Sequence, residues 1–293
     1  MVIKTAIASI RKFRLLLVFF VMAFLAIGLY VLFYEKAMTI QWSTMTIVHC
    51  WVLPALIVGM ILNWSLEIIK WHTLNKKDGL SITNAFRAVM SGICTSLFFP
   101  LKTGGFIGRF AFTKTVTRQN LVKRLLISNV SQKLITVLFG GIMIMIVGAT
   151  SMFEPSLWWL VCSVTIGLII FIMFKPGWFS QFVTLESLKQ LSLSFIRYLI
   201  FSTQLFLTFY MFGTHLSTVH LLYIPIYWLS ISVIPFSFFG GLLVRETVGA
   251  SLFGFLLGYD EPSVIFALFV LWIINVFVPA CVGWICWLKK AHA

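Results

Sequence analysis

The sequence predicts an all-α polytopic membrane protein with about six full transmembrane helices and two re-entrant broken-helix hairpins, eight hydrophobic segments in all. Three observations carry that expectation: a charge complement too small for water, apolar runs of bilayer length, and basic residues gathered on one side of those runs. The 293 residues are 60% hydrophobic and 10% charged, with a mean hydropathy of +1.03. So few charges cannot cover a water-soluble surface, so lipid must do most of the solvating. The 22 Lys and Arg against 8 Asp and Glu give +14, which in a soluble chain would point to nucleic acid. Here the bases belong to loops beside anionic headgroups, and no nucleic-acid-binding motif occurs.

A helix needs roughly 20 apolar residues to cross a hydrocarbon core of about 30 Å. Leu15 to Phe33 meets this without interruption, behind Lys4, Arg11, Lys12 and Arg14. It is too long for a signal-peptide core and no small-residue cleavage site follows, so it is expected to be retained as the first helix. Ile47 to Ile69 is the second span, with Glu67 and Lys70 at its end. Leu134 to Ala149 (extended backward), Ser156 to Phe174, Leu193 to Phe212 and Phe266 to Leu288 complete the set. Arg197 and Glu67 fall near span ends, where long side chains snorkel to the interface. Leu185 to Leu193 reads as a short amphipathic helix on the cytoplasmic face. Trp158, Trp159, Trp284 and Trp287 suit an interfacial aromatic belt.

Charge sets the orientation. One set of loops carries Lys70, Lys76, Lys77, Lys114, Arg118, Lys123, Arg124, Lys175, Lys189, Lys289 and Lys290; the other holds Lys36 as its only base, with Glu35, Glu154, Asp260 and Glu261. Both termini are therefore expected in the cytoplasm, the membrane being the bacterial cytoplasmic (inner) membrane. The regions Ser81 to Lys114 and Leu216 to Leu257 must then each enter and leave on one side. The first is too short for two spans and a loop, which favours re-entry. The second fits either a re-entrant hairpin or two spans.

These two regions resemble one another. The first contains Pro100, Lys102, Gly104, Gly105 and Arg109; the second contains Pro235, Gly240, Gly241, Arg245 and Glu246. In each, a glycine pair follows the proline and an arginine stands four residues beyond the second glycine. Entered from opposite sides, they mark an inverted repeat with halves of about 1–149 and 150–293, in which a substrate site lies between the breaks. Proline and glycine break the helix and leave peptide groups that lipid cannot satisfy, so the breaks must line a wet cavity or pack in protein. The restarting helices would aim partly positive N-termini at that cavity, which suits an anion. Close packing is the competing role for the glycine pairs.

On Glu67 to Trp71, on Pro100, Gly104, Gly105 and Arg109, and above all on Pro235 to Glu246 and on to Gly258 and Gly283, the chain resembles the membrane domain of the lysylphosphatidylglycerol synthase (multiple peptide resistance factor) family and its stand-alone relatives. The resemblance covers nearly the whole chain and implies flippase-like translocation of lipid between leaflets, without the synthase reaction of a separate soluble domain. Phe106 stands where the family often has an acid, and Gln132, Lys133 and Thr136 where it often has an acidic-basic-acidic pattern. An anionic phospholipid or polyprenyl phosphate suits Lys102, Arg109 and Lys133 better than a cationic aminoacyl headgroup.

The chemistry agrees with a transporter. No paired carboxylates, nucleophile elbow or nucleotide-binding motif is present. The five cysteines and five histidines form no metal-ligand spacing, so neither cofactor nor metal is expected. An ionisable residue deep in a membrane faces a cavity or a partner. Arg245 and Glu246 point about 100° apart on a helix, so Glu246 should find a partner elsewhere, Arg109 or Lys133. The alternatives are a non-transporting membrane partner of an envelope glycosyltransferase or lipid-modifying complex, and a cryptic intramembrane lipid enzyme. Expected partners are anionic membrane lipids, with a homo-oligomer or an envelope-biogenesis protein beside them.

Overall fold

The computed structural model describes residues 47–99, 104–113, 117–150, 185–234 and 239–291. The predicted spans at Leu15 to Phe33 and Ser156 to Phe174, the prolines Pro100 and Pro235, Lys102 and both chain ends lie outside those residues.

Regular structure among the described residues is entirely helical. Four stretches are long and apolar enough to cross a membrane: Cys50–Asp78, Gln119–Gly148, Glu186–Met211 and Glu261–Lys289. The chain is an integral membrane protein by this measure. In chain order the helices are α1 (Leu53–Asn75), α2 (Ile82–Phe98), α3 (Gly104–Phe112), α4 (Arg118–Thr150), α5 (Leu185–Met211), α6 (Tyr223–Val233), α7 (Val244–Gly249), α8 (Glu261–Trp272) and α9 (Val278–Ala291). A π-helical turn, Ile273–Phe277, joins α8 to α9 into one rod.

Local chemistry sets several boundaries. Pro54 sits in the first turn of α1, where its missing N–H costs nothing. Ser81 caps α2 by accepting from the Asn84 N–H at 3.3 Å, and the Asp260 carboxylate caps α8 by accepting from the Ser263 N–H at 3.0 Å.

The long helices are inside out relative to soluble ones. On α1 the buried stripe is Leu56, Asn63, Glu67, Lys70 and Trp71, while Ile57, Val58, Ile61 and Leu62 point outward. On α5 the buried stripe Ser187, Gln190, Ser194, Arg197, Gln204 and Thr208 repeats at steps of three, four or seven residues, with Ile196 and Leu199 outside. Lipid rewards the apolar exterior, and polar groups must then satisfy one another inside.

Two expectations about span ends are corrected here. The Leu185 to Leu193 segment is no separate surface helix: it is the first third of α5. Arg197 therefore stands halfway along that helix rather than near its end. Likewise α1 runs on past Ile69 to Asn75, which places Glu67 well inside it. Neither side chain snorkels; both are buried.

Between the long helices lie the short ones. With 17 and 9 residues, α2 and α3 reach about 25 and 14 Å at roughly 1.5 Å per residue, less than a bilayer core. They cross with backbones touching: a Cβ on Gly108 would lie 2.2 Å from the Gly92 nitrogen, and one on Gly104 would lie 2.3 Å from the Thr95 carbonyl oxygen. The Thr95 hydroxyl donates to the Gly104 carbonyl at 2.6 Å across the same crossing. Here Gly104 and Gly108 serve close approach, while a Cβ on Gly105 would meet nothing within 4 Å.

In the second broken region, Gly240 and Gly241 instead have φ of 66° and 86°, a left-handed turn that a side chain disfavours. So the shared pattern hides two different roles. Leu243 follows with φ 73°, and the Val244 N–H bonds back to the Leu242 carbonyl at 2.9 Å. That is a γ-turn of the strained, positive-φ kind.

Charge is polarised along the bundle. Arg124 pairs with Asp78, and Lys77 with Glu186 at 2.6 Å, so Lys76, Lys77, Lys123, Arg124 and Lys189 share one end. The other end, where the Val48 N–H bonds the Met211 carbonyl at 3.0 Å, gathers His49, His215, His220 and Asp260.

Candidate functional site

A cavity of about 760 Å³ opens between α1, α2, α3, α4, α5, α6 and the turn before α7. Its wall includes Gly105 and Arg109 from the first broken region and Gly240, Gly241 and Arg245 from the second. The two glycine breaks thus face the same space. Lys133 and Arg197, each halfway along its helix, add to the cationic wall, with Glu67 as its one carboxylate among the described residues.

The charge network is built from the inside-out stripes. Glu67 accepts hydrogen bonds from both the Arg109 and the Arg197 guanidinium groups. Lys70, one turn along α1, stands 3.6 Å from the same carboxylate and donates to the Ser194 hydroxyl at 2.8 Å. Arg197 also donates from Nε to the Asn63 side-chain oxygen at 2.9 Å. Aromatic faces finish the cage: the Arg109 guanidinium lies 4.9 Å from the Trp71 ring and that of Arg197 5.6 Å from Trp64, contacts that favour cations. Trp64 is in turn held by donating to the Asn275 carbonyl in the π turn, at 3.0 Å.

The sequence-predicted residues that are described each have a place. Arg109 is 8% exposed and keeps Nε without a hydrogen-bond partner; Nη1 of Arg245 is also buried and unpartnered. Lys133 reaches across to the Ser232 carbonyl at 3.3 Å, tying α4 to α6. Gln132 and Thr136 line the cavity beside it.

Gly104 lies at the α2–α3 crossing, outside the cavity wall. Glu246 is also absent from that wall. Its carboxylate turns back to accept from the Leu243 N–H, so its observed partner is its own helix start rather than Arg109 or Lys133. The helix-dipole expectation changes with it: α7 has only 6 residues, and Arg109 stands in the second turn of α3. The guanidinium groups themselves carry the positive charge.

Sequence reasoning read Glu67 and Arg197 as snorkelling span-end residues and did not count Lys70 or Asn63 in the site. A signal for them existed in the three- and four-residue spacing of polar side chains along α1 (Asn63, Glu67, Lys70) and along α5, which an interior face explains. Compared with known proteins, the chain matches no family model, no curated protein and no solved structure.

Proposed function

We propose that the chain is a flippase-like lipid transporter, of the lysylphosphatidylglycerol synthase membrane-domain type, that moves an anionic phospholipid or lipid-linked headgroup between leaflets. One observation carries this reading: Arg109 and Arg245, one from each glycine-broken region, line a single cavity halfway along an apolar bundle. A cationic cavity surrounded by lipid is costly without an anion to occupy it. Arginine forks match phosphate oxygens bidentately.

In this account α2–α3 and α6–α7 are re-entrant hairpins of an inverted repeat, between six full spans, with both termini in the cytoplasm. The short lengths of α2, α3 and α6 and the basic end of the bundle support that arrangement. The headgroup crosses through the cavity while the acyl chains stay in lipid. The Glu67 network holds Arg109 and Arg197 in place, so that their charge is present before the headgroup arrives.

Reconstitution tests the reading. Purified protein in liposomes with fluorescent anionic phospholipid should expose the inner-leaflet label to an external quencher, and protein-free liposomes should not. Arg245→Lys keeps the charge and loses the fork, and should slow that exposure about tenfold, the equivalent of ~1.4 kcal/mol. Wild-type protein that never exposes the inner leaflet would sink the proposal.

A further inference from the structure

The cavity carries more positive charge than one phosphodiester can balance. Among the described residues, Arg109, Lys133, Arg197 and Arg245 line it against the single carboxylate Glu67, a formal excess of +3. Two buried groups just behind the wall, Lys70 and Glu246, offset each other and leave the excess unchanged. A phosphatidylglycerol-like diester brings one negative charge and would leave two of these cations unmatched, in a cavity where Arg109 and Arg197 are buried and Lys133 is exposed. An unmatched buried charge is strongly disfavoured.

The donors also come from three separate elements, α3, α4 and the second broken region. Arg109 is anchored to α1 through Glu67 and stacked over Trp71. Arg245 stands across the cavity on the other broken region, held by no ion pair among the described residues. Both keep unpartnered nitrogens. Lys133 approaches from α4 and donates to a carbonyl on α6. A ligand with two anionic centres can engage donors from all three elements at once.

We infer that the preferred ligand is a lipid whose headgroup begins with a diphosphate, or an equivalent pair of linked phosphates, in place of a phosphodiester. This rests on the transporter reading and specifies its substrate class. A diphosphate brings two to three negative charges in a unit short enough for one cavity. Its two phosphates would divide between the Arg109 wall and the Arg245 wall, with Lys133 between them.

The test is binding to the purified full chain in neutral-lipid nanodiscs. The probes are a polyprenyl diphosphate, the matched polyprenyl monophosphate, phosphatidylglycerol and inorganic pyrophosphate. The diphosphate lipid should bind at least tenfold more tightly than the monophosphate or phosphatidylglycerol, and pyrophosphate should compete with it at higher concentration. Arg245→Gln, which keeps size and removes charge, should erase most of that preference; Lys133→Gln serves as the second variant should the first fail to fold. Equal binding of all three lipids overturns the diphosphate inference and leaves the transporter proposal standing. Tight binding of pyrophosphate with no gain from the polyprenyl chain overturns it differently, assigning the site to a soluble diphosphate and removing the lipid reading as well.

Discussion

Glu67 is one carboxylate shared by three cations, and the ordering of Arg109 and Arg197 depends on it. Glu67→Gln keeps the shape but leaves those cations uncompensated, a loss of about 3–5 kcal/mol for breaking a buried network of this kind. Melting followed by size-exclusion chromatography should show a large drop in stability or a loss of monodisperse protein. Arg245 has no such partner among the described residues, so Arg245→Lys should melt close to wild type while transport falls. These contrasting outcomes separate a residue that positions from one that touches the ligand. Sequence reasoning weighed Glu246 by the rule that deep charges need a role and placed Glu67 at a span end. The same rule applies to both; the span boundary, drawn at Ile69 instead of Asn75, hid the second. The Arg197–Glu67 pairing joins residues 130 positions apart, and only helix packing makes them neighbours.

The repeated Pro, Gly-Gly, Arg order singled out two regions, and Gly105, Arg109, Gly240, Gly241 and Arg245 from them line one cavity. It did not distinguish what the glycines do, since contact and dihedral freedom demand the same residue. At the α2–α3 crossing the demand is contact, and it is uneven between neighbours. Gly108→Ala would press a Cβ to 2.2 Å from the Gly92 nitrogen, while a Cβ on Gly105 meets nothing within 4 Å. Gly108→Ala should therefore cost about 1–3 kcal/mol or more through overpacking, and Gly105→Ala should leave the melting temperature nearly unchanged. Similar losses for both would mean that α2 and α3 do not cross as described. The long helices were legible from apolar runs alone, because lipid asks for an unbroken exterior. Their starts were not: α4 and α5 begin in polar turns, Arg118 to Lys123 and Leu185 to Gln190, that a hydropathy window excludes although the backbone is already helical.

For the whole molecule, the claim is a bundle with one basic end, a histidine-rich opposite end and a cationic cavity between. In a variant lacking the native cysteines, a cysteine placed at Lys77 should label only from the cytoplasmic side and one at Ser217 only from outside. Labelling of both from one side would break the topology on which the inverted repeat depends. The central claim is that headgroups pass through the cavity between the two breaks. The most direct measurement is lipid exposure in liposomes by Arg109→Ala and Arg245→Ala, each first shown to be monodisperse with a defined melting transition. The account predicts that both well-folded variants lose most of the wild-type rate, and that a lipid-facing control such as Ile61→Ala keeps it. Wild-type rates from well-folded Arg109→Ala and Arg245→Ala proteins would contradict it and place the route elsewhere.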